Sequence, residues 1–130
     1  AGALGLMQLM PATGRLTGRK LKLPVRDNQA LLNIETNLRL GVGYLKDVLE
    51  RNRGHQVLAT AAYNAGPNRI PGWMPAQPLD ADVWVETIPY AEPRGYVKNV
   101  LAYTAVYDYR LGSRPTRLSA RMPVVLPATP

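Results

Sequence analysis

The strongest constraint on the fold is a helical spacing of apolar residues in the first half of the chain. Apolar side chains recur at steps of three and four residues, at Ile34, Leu38, Val42, Leu45 and Leu49. This spacing predicts a helix that turns one apolar stripe toward a core. Asn33 is expected to cap this helix, because its side chain can accept a backbone N–H that lacks an intrahelical partner. Gly54 is expected to end it.

Two further helices are predicted on similar grounds. The first covers about residues 56–63, is rich in small apolar residues and ends before Gly66 and Pro67, so we expect a buried central helix. The second covers about residues 93–111, with Pro93 at its first position, where a missing N–H costs nothing. The sequence shows neither strand-like alternation nor an internal repeat. The predicted fold class is therefore all-α.

The composition argues against several kinds of catalytic site. Among 130 residues there is no cysteine and a single histidine, His55, and the only serines are Ser113 and Ser119. Metal sites built from thiolates or several histidines, cysteine nucleophiles and Ser-His-Asp triads are therefore not expected. We predict no metal and no cofactor. His55 lies in a polar run and is expected to be a solvated loop residue.

The formal net charge of +7 favours a polyanionic partner, such as nucleic acid, an acidic membrane surface or an acidic cell-wall polymer. The nearest approach to a basic cluster is Arg15, Arg19, Lys20 and Lys22, which a solvated helix face explains equally well. A basic nucleic-acid-binding helical module should gather its cations on one recognition helix, so this alternative is disfavoured and no nucleic-acid partner is predicted. No apolar run is long enough to span a membrane.

Any catalysis would have to rely on carboxylates, and Glu86 is the most distinctive of them. It follows Val83-Trp84-Val85 and precedes Thr87-Ile88-Pro89, which predicts apolar surroundings. A carboxylate in such surroundings needs hydrogen bonds or a raised pKa, and both are typical of a glycan-cleaving site. An equally good interpretation is structural, with Glu86 fixing a loop by accepting backbone N–H groups.

Four short blocks follow one another along the chain. They are GALGLMQLMP at 2–11, IETN at 34–37, AYNAGP at 62–67 and ETIPYAEPRGYV at 86–97. In sequence and in order they resemble the signatures of the soluble lytic transglycosylases, relatives of goose-type lysozyme. The resemblance implies a lysozyme-like helical domain over residues 1–112, a proline-rich tail over residues 113–130, a periplasmic location and peptidoglycan glycan strands as the partner.

The resemblance also implies roles for residues in the first and third blocks. Gln8 and Met10 would line the glycan cleft beside the scissile bond. Tyr63 and Asn64, at a helix end, would meet the sugar near its N-acetyl group.

In the fourth block, Glu86 would be the family's second acidic residue, which orders the site without donating the proton. Tyr96 would hold the catalytic carboxyl in place through its hydroxyl. Ala91 stands where a serine is common and would have capped the long helix, so its presence is expected to cost about 1 kcal/mol.

The family's general acid is a glutamate that precedes the first block, and Ala1 follows that point. Glu35 and Glu86 match other positions of the family, so no residue of this chain is assigned as catalytic. The resemblance implies cleavage of the bond between N-acetylmuramic acid and N-acetylglucosamine with 1,6-anhydro ends. We expect the 130-residue chain alone to bind glycan weakly and not to cleave it, unless the upstream part of the same protein completes the site.

The absence of an upstream helix is also expected to leave an apolar trough exposed, which would cause association or instability. A non-catalytic peptidoglycan-binding module and lysozyme-type hydrolysis remain as alternative functions.

Overall fold

The computed structural model describes residues 2–114 and 116–128. Five α-helices dominate: α1 Pro11–Lys20, α2 Ile34–Arg51, α3 Gln56–Ala65, α4 Ala81–Thr87 and α5 Ala91–Arg110. Three short 3-10 helices lie at Gln29–Leu32, Pro67–Trp73 and Leu118–Arg121. Within the described residues, β-type pairing is limited to two isolated antiparallel bridges, Leu4 with Leu9 and Leu79 with Val125. The all-α prediction is confirmed.

The chain forms two compact units, residues 1–47 and 48–130, and the boundary falls inside α2. The first unit has a small core of three buried leucines, Leu9, Leu31 and Leu40. Partly buried apolar side chains surround it: Leu4, Met7, Leu23, Val25 and Tyr44. This core connects the N-terminal segment, the segment after α1, the 3-10 helix Gln29–Leu32 and the first part of α2.

The predicted start of α2 is confirmed. The Asn33 side-chain oxygen accepts the backbone N–H of Thr36 at 3.0 Å, as an N-cap residue does. At the other end the helix runs to Arg51, and the turn that follows closes with a hydrogen bond of 2.8 Å from Gly54 N to Leu49 O.

The prediction of which face of α2 is buried is wrong. Four members of the predicted stripe are exposed, namely Ile34 (64%), Leu38 (40%), Val42 (59%) and Leu45 (39%). The buried face instead carries Asn37, Leu40, Gly41 and Val48. Both faces share the three- and four-residue spacing, and tertiary contacts decide between them: a small glycine and a hydrogen-bonding amide allow closer approach than leucines do.

The second unit is built on α3, which packs against α5, while α4 also packs against α5. The buried side chains of α3 are Val57, Leu58, Ala59, Ala61 and Ala62. The prediction of a buried central helix is therefore confirmed. Trp84 of α4 is fully buried and its indole N–H donates to the carbonyl of Trp73 at 2.8 Å, so its one polar atom is satisfied.

His55 is not the solvated loop residue that the sequence predicts. It is half-buried and caps α3, with Nδ1 accepting the Leu58 N–H at 3.4 Å. Since a backbone N–H can only donate, the Nδ1 of the cap carries no proton, and the proton on Nε2 can donate to the Pro123 carbonyl 3.1 Å away. Burial lowers the pKa of His55, partly offset by its bonds to backbone carbonyls.

The start of α5 differs from the prediction by two residues. The helix begins at Ala91 with Tyr90 as the N-cap residue, so Pro93 occupies the third helical position rather than the first. The first four N–H groups of a helix lack intrahelical partners, so proline is still tolerated there. Because Ala91 lies inside the helix, a serine there would not be the N-cap residue, and the expected capping loss is wrong.

Described residues after α5 pack against earlier parts of the second unit. Val125 is fully buried and exchanges two backbone hydrogen bonds with Leu79, of 2.8 and 2.9 Å. Arg121 donates to the Asp108 carboxylate at 2.7 Å, and both side chains are about four-fifths buried. The proposed division into a domain over 1–112 and a tail over 113–130 stays a prediction.

None of the helices in the described residues combines the length and apolarity that a bilayer crossing requires.

The exposed stripe of α2 predicts self-association. Leu38 and Val42 line an open groove of about 500 Å³ together with Leu21, and apolar surface of this kind tends to be covered by another molecule. We expect oligomers at high concentration in size-exclusion chromatography with light scattering, and fewer of them for Leu38→Gln combined with Val42→Gln. The control is Leu111→Gln, another exposed leucine (76%). A chain that stays monomeric at all concentrations would contradict this expectation.

The capping role of His55 predicts a pH-dependent stability. The folded pKa lies below the usual value of 6.5, so between these two values the unfolded chain binds more protons. The free energy of unfolding is then highest above pH 6.5 and falls as pH decreases toward the folded pKa. In His55→Asn, which keeps a capping side chain without the titration, urea unfolding between pH 7.5 and 5.5 should show a smaller loss. Equal losses in both proteins would exclude this role.

Candidate functional site

A tight turn in the first unit presents Gln8. Leu4 and Leu9 exchange backbone hydrogen bonds of 2.9 and 3.0 Å, and Gln8 N donates to Gly5 O at 3.0 Å. Gln8 has a φ of +48°, a left-handed conformation that is uncommon for a residue other than glycine. Its side-chain amide nitrogen donates to Gly5 O at 2.8 Å. The turn thus fixes the Gln8 side chain while leaving it exposed.

Asn37 of α2 holds this turn in place. It is fully buried. Its side-chain oxygen accepts the Met7 N–H at 2.7 Å. Its side-chain nitrogen donates to the carbonyls of Leu4 (3.0 Å) and Leu31 (2.8 Å). One amide therefore ties the turn, the 3-10 helix at Gln29–Leu32 and α2 together.

Gly5 allows this contact. Its φ of +71° favours glycine, and a Cβ at this position would overlap the Asn37 amide. Met10 follows the turn at the N-cap position of α1, and 48% of it is exposed. The first unit therefore displays Gln8 and Met10 on either side of the buried Leu9.

Tyr63 and Asn64 lie in the last turn of α3, as the sequence predicts. The helix ends at Ala65, and Gly66 follows with a φ of +93°, which redirects the chain into the 3-10 helix Pro67–Trp73. Both Tyr63 and Asn64 are half-buried.

Glu86 is exposed and paired with a cation rather than enclosed by apolar side chains, so the predicted environment is wrong. α4 buries Ala81, Trp84 and Val85, which turns Glu86 outward; 59% of its side chain is exposed. Its carboxylate pairs with the ammonium group of Lys98 on α5. The apolar neighbours in sequence belong to the opposite side of a short helix.

Two residues that the sequence reasoning did not single out position the Glu86 region. Arg94, one turn before Lys98 on α5, donates to the Ile88 carbonyl at 3.3 Å and to the Glu86 carbonyl at 3.5 Å. A cation at a helix C-terminus bonds the last carbonyls and complements the dipole. The four-residue spacing of Arg94 and Lys98 on one helix was the available signal.

Asn37 was also missed, although the IETN block contains it. The signal was an amide on the face of α2 next to the apolar stripe, at a helical spacing from Leu40 and Tyr44. Reading that face as the buried one would have identified Asn37 as a buried polar residue that needs partners.

Tyr96 lies on α5 and is half-buried. Burial raises the pKa of its hydroxyl, which stays protonated and able to donate at neutral pH. The described residues provide no hydrogen-bond partner for this hydroxyl. In the second unit, Asn64, Glu86 and Tyr96 lie on three helices, of which α3 and α4 both pack on α5.

The described carboxylates lack the environment of a catalytic acid. A carboxyl that stays protonated near neutral pH is typically held in an apolar pocket. Among residues 2–114 and 116–128, the glutamates are exposed: Glu35, Glu50, Glu86 and Glu92. The partly buried Asp108 is paired with Arg121.

Comparison with known protein families identifies the class. Residues 1–79 match the family model described as the Transglycosylase SLT domain. Residues 87–116 match the one described as the Soluble lytic transglycosylase helical domain. Because the first match alone covers more than half of the chain, the chain belongs to the Transglycosylase SLT domain family. The resemblance read from the four blocks is confirmed.

Individual proteins of this family are similar to most of the chain. The soluble lytic murein transglycosylase of Escherichia coli strain K12 is 45% identical over 122 residues, which cover 92% of this chain and 19% of that protein. The soluble lytic murein transglycosylase of Salmonella typhimurium is 44% identical over 121 residues, 91% of this chain and 19% of that protein.

Solved structures agree with the fold. The 70 kDa soluble lytic transglycosylase of Escherichia coli has a TM-score of 0.83 at 43% identity, over 92% of this chain and 19% of that one. An inactive mutant of the lytic transglycosylase Slt of Pseudomonas aeruginosa has a TM-score of 0.79 at 47% identity, over 85% and 18%. The chain therefore spans about a fifth of the length of these relatives.

The hydrogen bonds of Asn37 predict a large effect of its removal. Asn37→Ala would leave the Met7 N–H and the Leu31 carbonyl without their partner, and we expect the free energy of unfolding to fall by roughly 3 kcal/mol. Urea denaturation measures the loss, and hydrogen exchange should become faster at the Met7 amide. The matched control is Asn99→Ala, an exposed asparagine of α5, which should change stability by less than about 0.5 kcal/mol. Similar losses for both variants would contradict the role of Asn37.

Proposed function

We propose that this chain is the glycan-contacting part of a periplasmic lytic transglycosylase. That enzyme would cleave the β-1,4 bond between N-acetylmuramic acid and N-acetylglucosamine in peptidoglycan and leave 1,6-anhydro ends. The observation that supports this most is the match of residues 1–79 to the Transglycosylase SLT domain. The turn that Asn37 holds, with its exposed Gln8, lies within that match.

Gln8 and Met10 supply complementary contacts for a sugar. The Gln8 amide nitrogen is engaged with Gly5 O, so its side-chain oxygen is oriented to accept a hydrogen bond from a sugar hydroxyl or N-acetyl N–H. Met10 adds a polarizable apolar surface against which a pyranose face can pack. A fixed amide next to an apolar contact is a common arrangement in small-molecule sites.

In the second unit, Tyr63, Asn64 and Tyr96 supply polar groups on partly buried side chains. The Asn64 amide can bond the N-acetyl group of a sugar through both its N–H and its C=O. The protonated Tyr96 hydroxyl is a donor, suited to orient a carboxylate that enters the site. Glu86, fixed by Lys98, orders this surface instead of donating a proton.

We further propose that the general acid comes from a residue outside these 130. This is supported by the exposed or paired state of the described carboxylates. The reaction needs one carboxyl, which first protonates the glycosidic oxygen and then, as carboxylate, takes the proton from the C6 hydroxyl as that oxygen closes on the anomeric carbon. General acid–base catalysis of this kind contributes about 10² to 10⁴ in rate.

The net charge of +7 is consistent with a peptidoglycan partner, because the peptides on the glycan strands carry carboxylates. A periplasmic location follows from the same substrate.

The proposal is tested with purified peptidoglycan sacculi. We expect the 130-residue chain to sediment with sacculi, without lowering their turbidity and without releasing muropeptides detectable by mass spectrometry. Tyr96→Phe and Asn64→Ala should each weaken co-sedimentation several-fold, since one hydrogen bond is worth about 1 kcal/mol.

Matched substitutions provide the controls. Tyr109→Phe and Asn99→Ala change the same residue types at exposed positions of α5 and should bind like the parent chain. Absence of binding to sacculi would refute the glycan-contacting role. Release of 1,6-anhydro products by this chain would refute the assignment of the general acid to a residue elsewhere, and release of hydrated products would favour lysozyme-type hydrolysis.

A further inference from the structure

Three cations line one face of α1 and the turn after it. Arg15, Arg19 and Lys22 follow one another at steps of four and three residues, and Ala12 precedes them on the same face. They border an open groove of about 510 Å³. The rest of the groove is mainly aliphatic, formed by Leu23, Pro24 and Val25.

These cations have no acidic partner among the described residues. Arg15 donates to the Asn28 side-chain oxygen at 3.4 Å, which leaves its charge uncompensated. In contrast, the neighbouring Lys20 pairs with Asp47 at 3.1 Å. Like charges four residues apart destabilise a helix. A cation in the last turn complements the helix dipole, but that accounts for Arg19 and not for all three.

Lys22 is held in a conformation that favours glycine. α1 ends in a Schellman motif, with Leu23 N bonding Gly18 O at 2.8 Å and Lys22 N directed at Arg19 O at 3.3 Å. Lys22 is the first residue after the C-cap, a position that is usually glycine in this motif. It has a φ of +56°. A non-glycine residue in this strained conformation at an exposed turn is a reason to ask what its side chain does.

The groove floor is built by close packing. A Cβ at Gly18 would lie 2.6 Å from the Leu23 carbonyl oxygen, so the glycine lets the segment after α1 fold back onto the helix. The aliphatic floor and the cationic border are thus products of the same turn.

We propose that this groove binds a short carboxylate-bearing peptide of the kind attached to peptidoglycan strands, an inference that rests on the proposed function. Its three cations match the carboxylates of such a peptide, and its aliphatic floor fits methyl side chains. Nucleic acid fits less well. Single strands are bound by stacking bases on aromatic side chains, and the residues that line this groove are not aromatic.

Titration of the isotope-labelled 130-residue chain with N-acetyl-Ala-γ-Glu-Ala, which carries two carboxylates, tests the groove by NMR. We expect saturable shifts of backbone amides in residues 12–25, weakened by added salt because the pairing is exposed to solvent. The neutral analogue N-acetyl-Ala-Gln-Ala-amide should bind at least tenfold more weakly. Equal binding of the two peptides, or tighter binding of a single-stranded DNA oligomer at the same salt concentration, would overturn the proposal.

Arg19→Gln combined with Lys22→Gln should weaken peptide binding about tenfold, which is the loss of about 1.4 kcal/mol. The control, Arg39→Gln combined with Arg114→Gln, removes the same charge from exposed positions outside the groove and should bind like the parent chain. Equal weakening by both pairs would reduce the effect to net charge and refute a specific groove.

Lys22→Gly gives an independent readout. It removes the cation and the strain together, so it should raise the Tm while weakening peptide binding, which a misfolded variant cannot do. A lower Tm would refute the strain argument. If the chain binds the peptide but not sacculi, the proposed function alone is refuted. If it binds sacculi but not the peptide, this inference alone is refuted.

Discussion

The first unit depends on the three hydrogen bonds of Asn37. A buried amide is costly unless its donors and acceptor are satisfied, and here the partners are two backbone groups of the turn and one of the 3-10 helix Gln29–Leu32. The cost of leaving them unpaired selects one position for the Leu4–Leu9 turn. Gln8 therefore meets solvent in a fixed orientation, and a binding residue that is already oriented loses less conformational entropy when a ligand binds.

Much of the helical framework could be predicted from the sequence, because capping and glycine chemistry act locally. The Asn33 side chain caps the start of α2, and Gly66, which lacks a Cβ, adopts the positive φ that follows α3. The buried face of α2 could not be found this way. Its apolar stripe and the face around Asn37 have the same period, and the choice depends on which side the N-terminal turn packs against, a long-range contact of 30 or more residues in sequence.

In the candidate site, too, local features could be predicted from the sequence and long-range contacts could not. The positions of Tyr63 and Asn64 at a helix end followed from local signals, whereas the environment of Glu86 did not. In a short helix, residues next to one another in sequence point in different directions, so Trp84 is fully buried while Glu86 is exposed and paired with Lys98. His55 was misjudged for a related reason: its capping role is local, but its contact with Pro123 joins residues 68 positions apart.

The two proposed binding surfaces share one feature, a strained backbone at a polar residue. Among the described residues, the non-glycine positions with positive φ are Gln8, Lys22 and Arg53. Arg53 is followed by Gly54 in the turn between α2 and α3, whose hydrogen bonds close the helix end. Lys22 also lies in a turn that closes a helix end, that of α1. Gln8 and Lys22 carry the side chains that the glycan and peptide proposals use. A positive φ costs conformational energy for a residue with a Cβ, whereas glycine adopts it freely. Glycine at either position would therefore keep the turn and remove the polar group that each proposal requires.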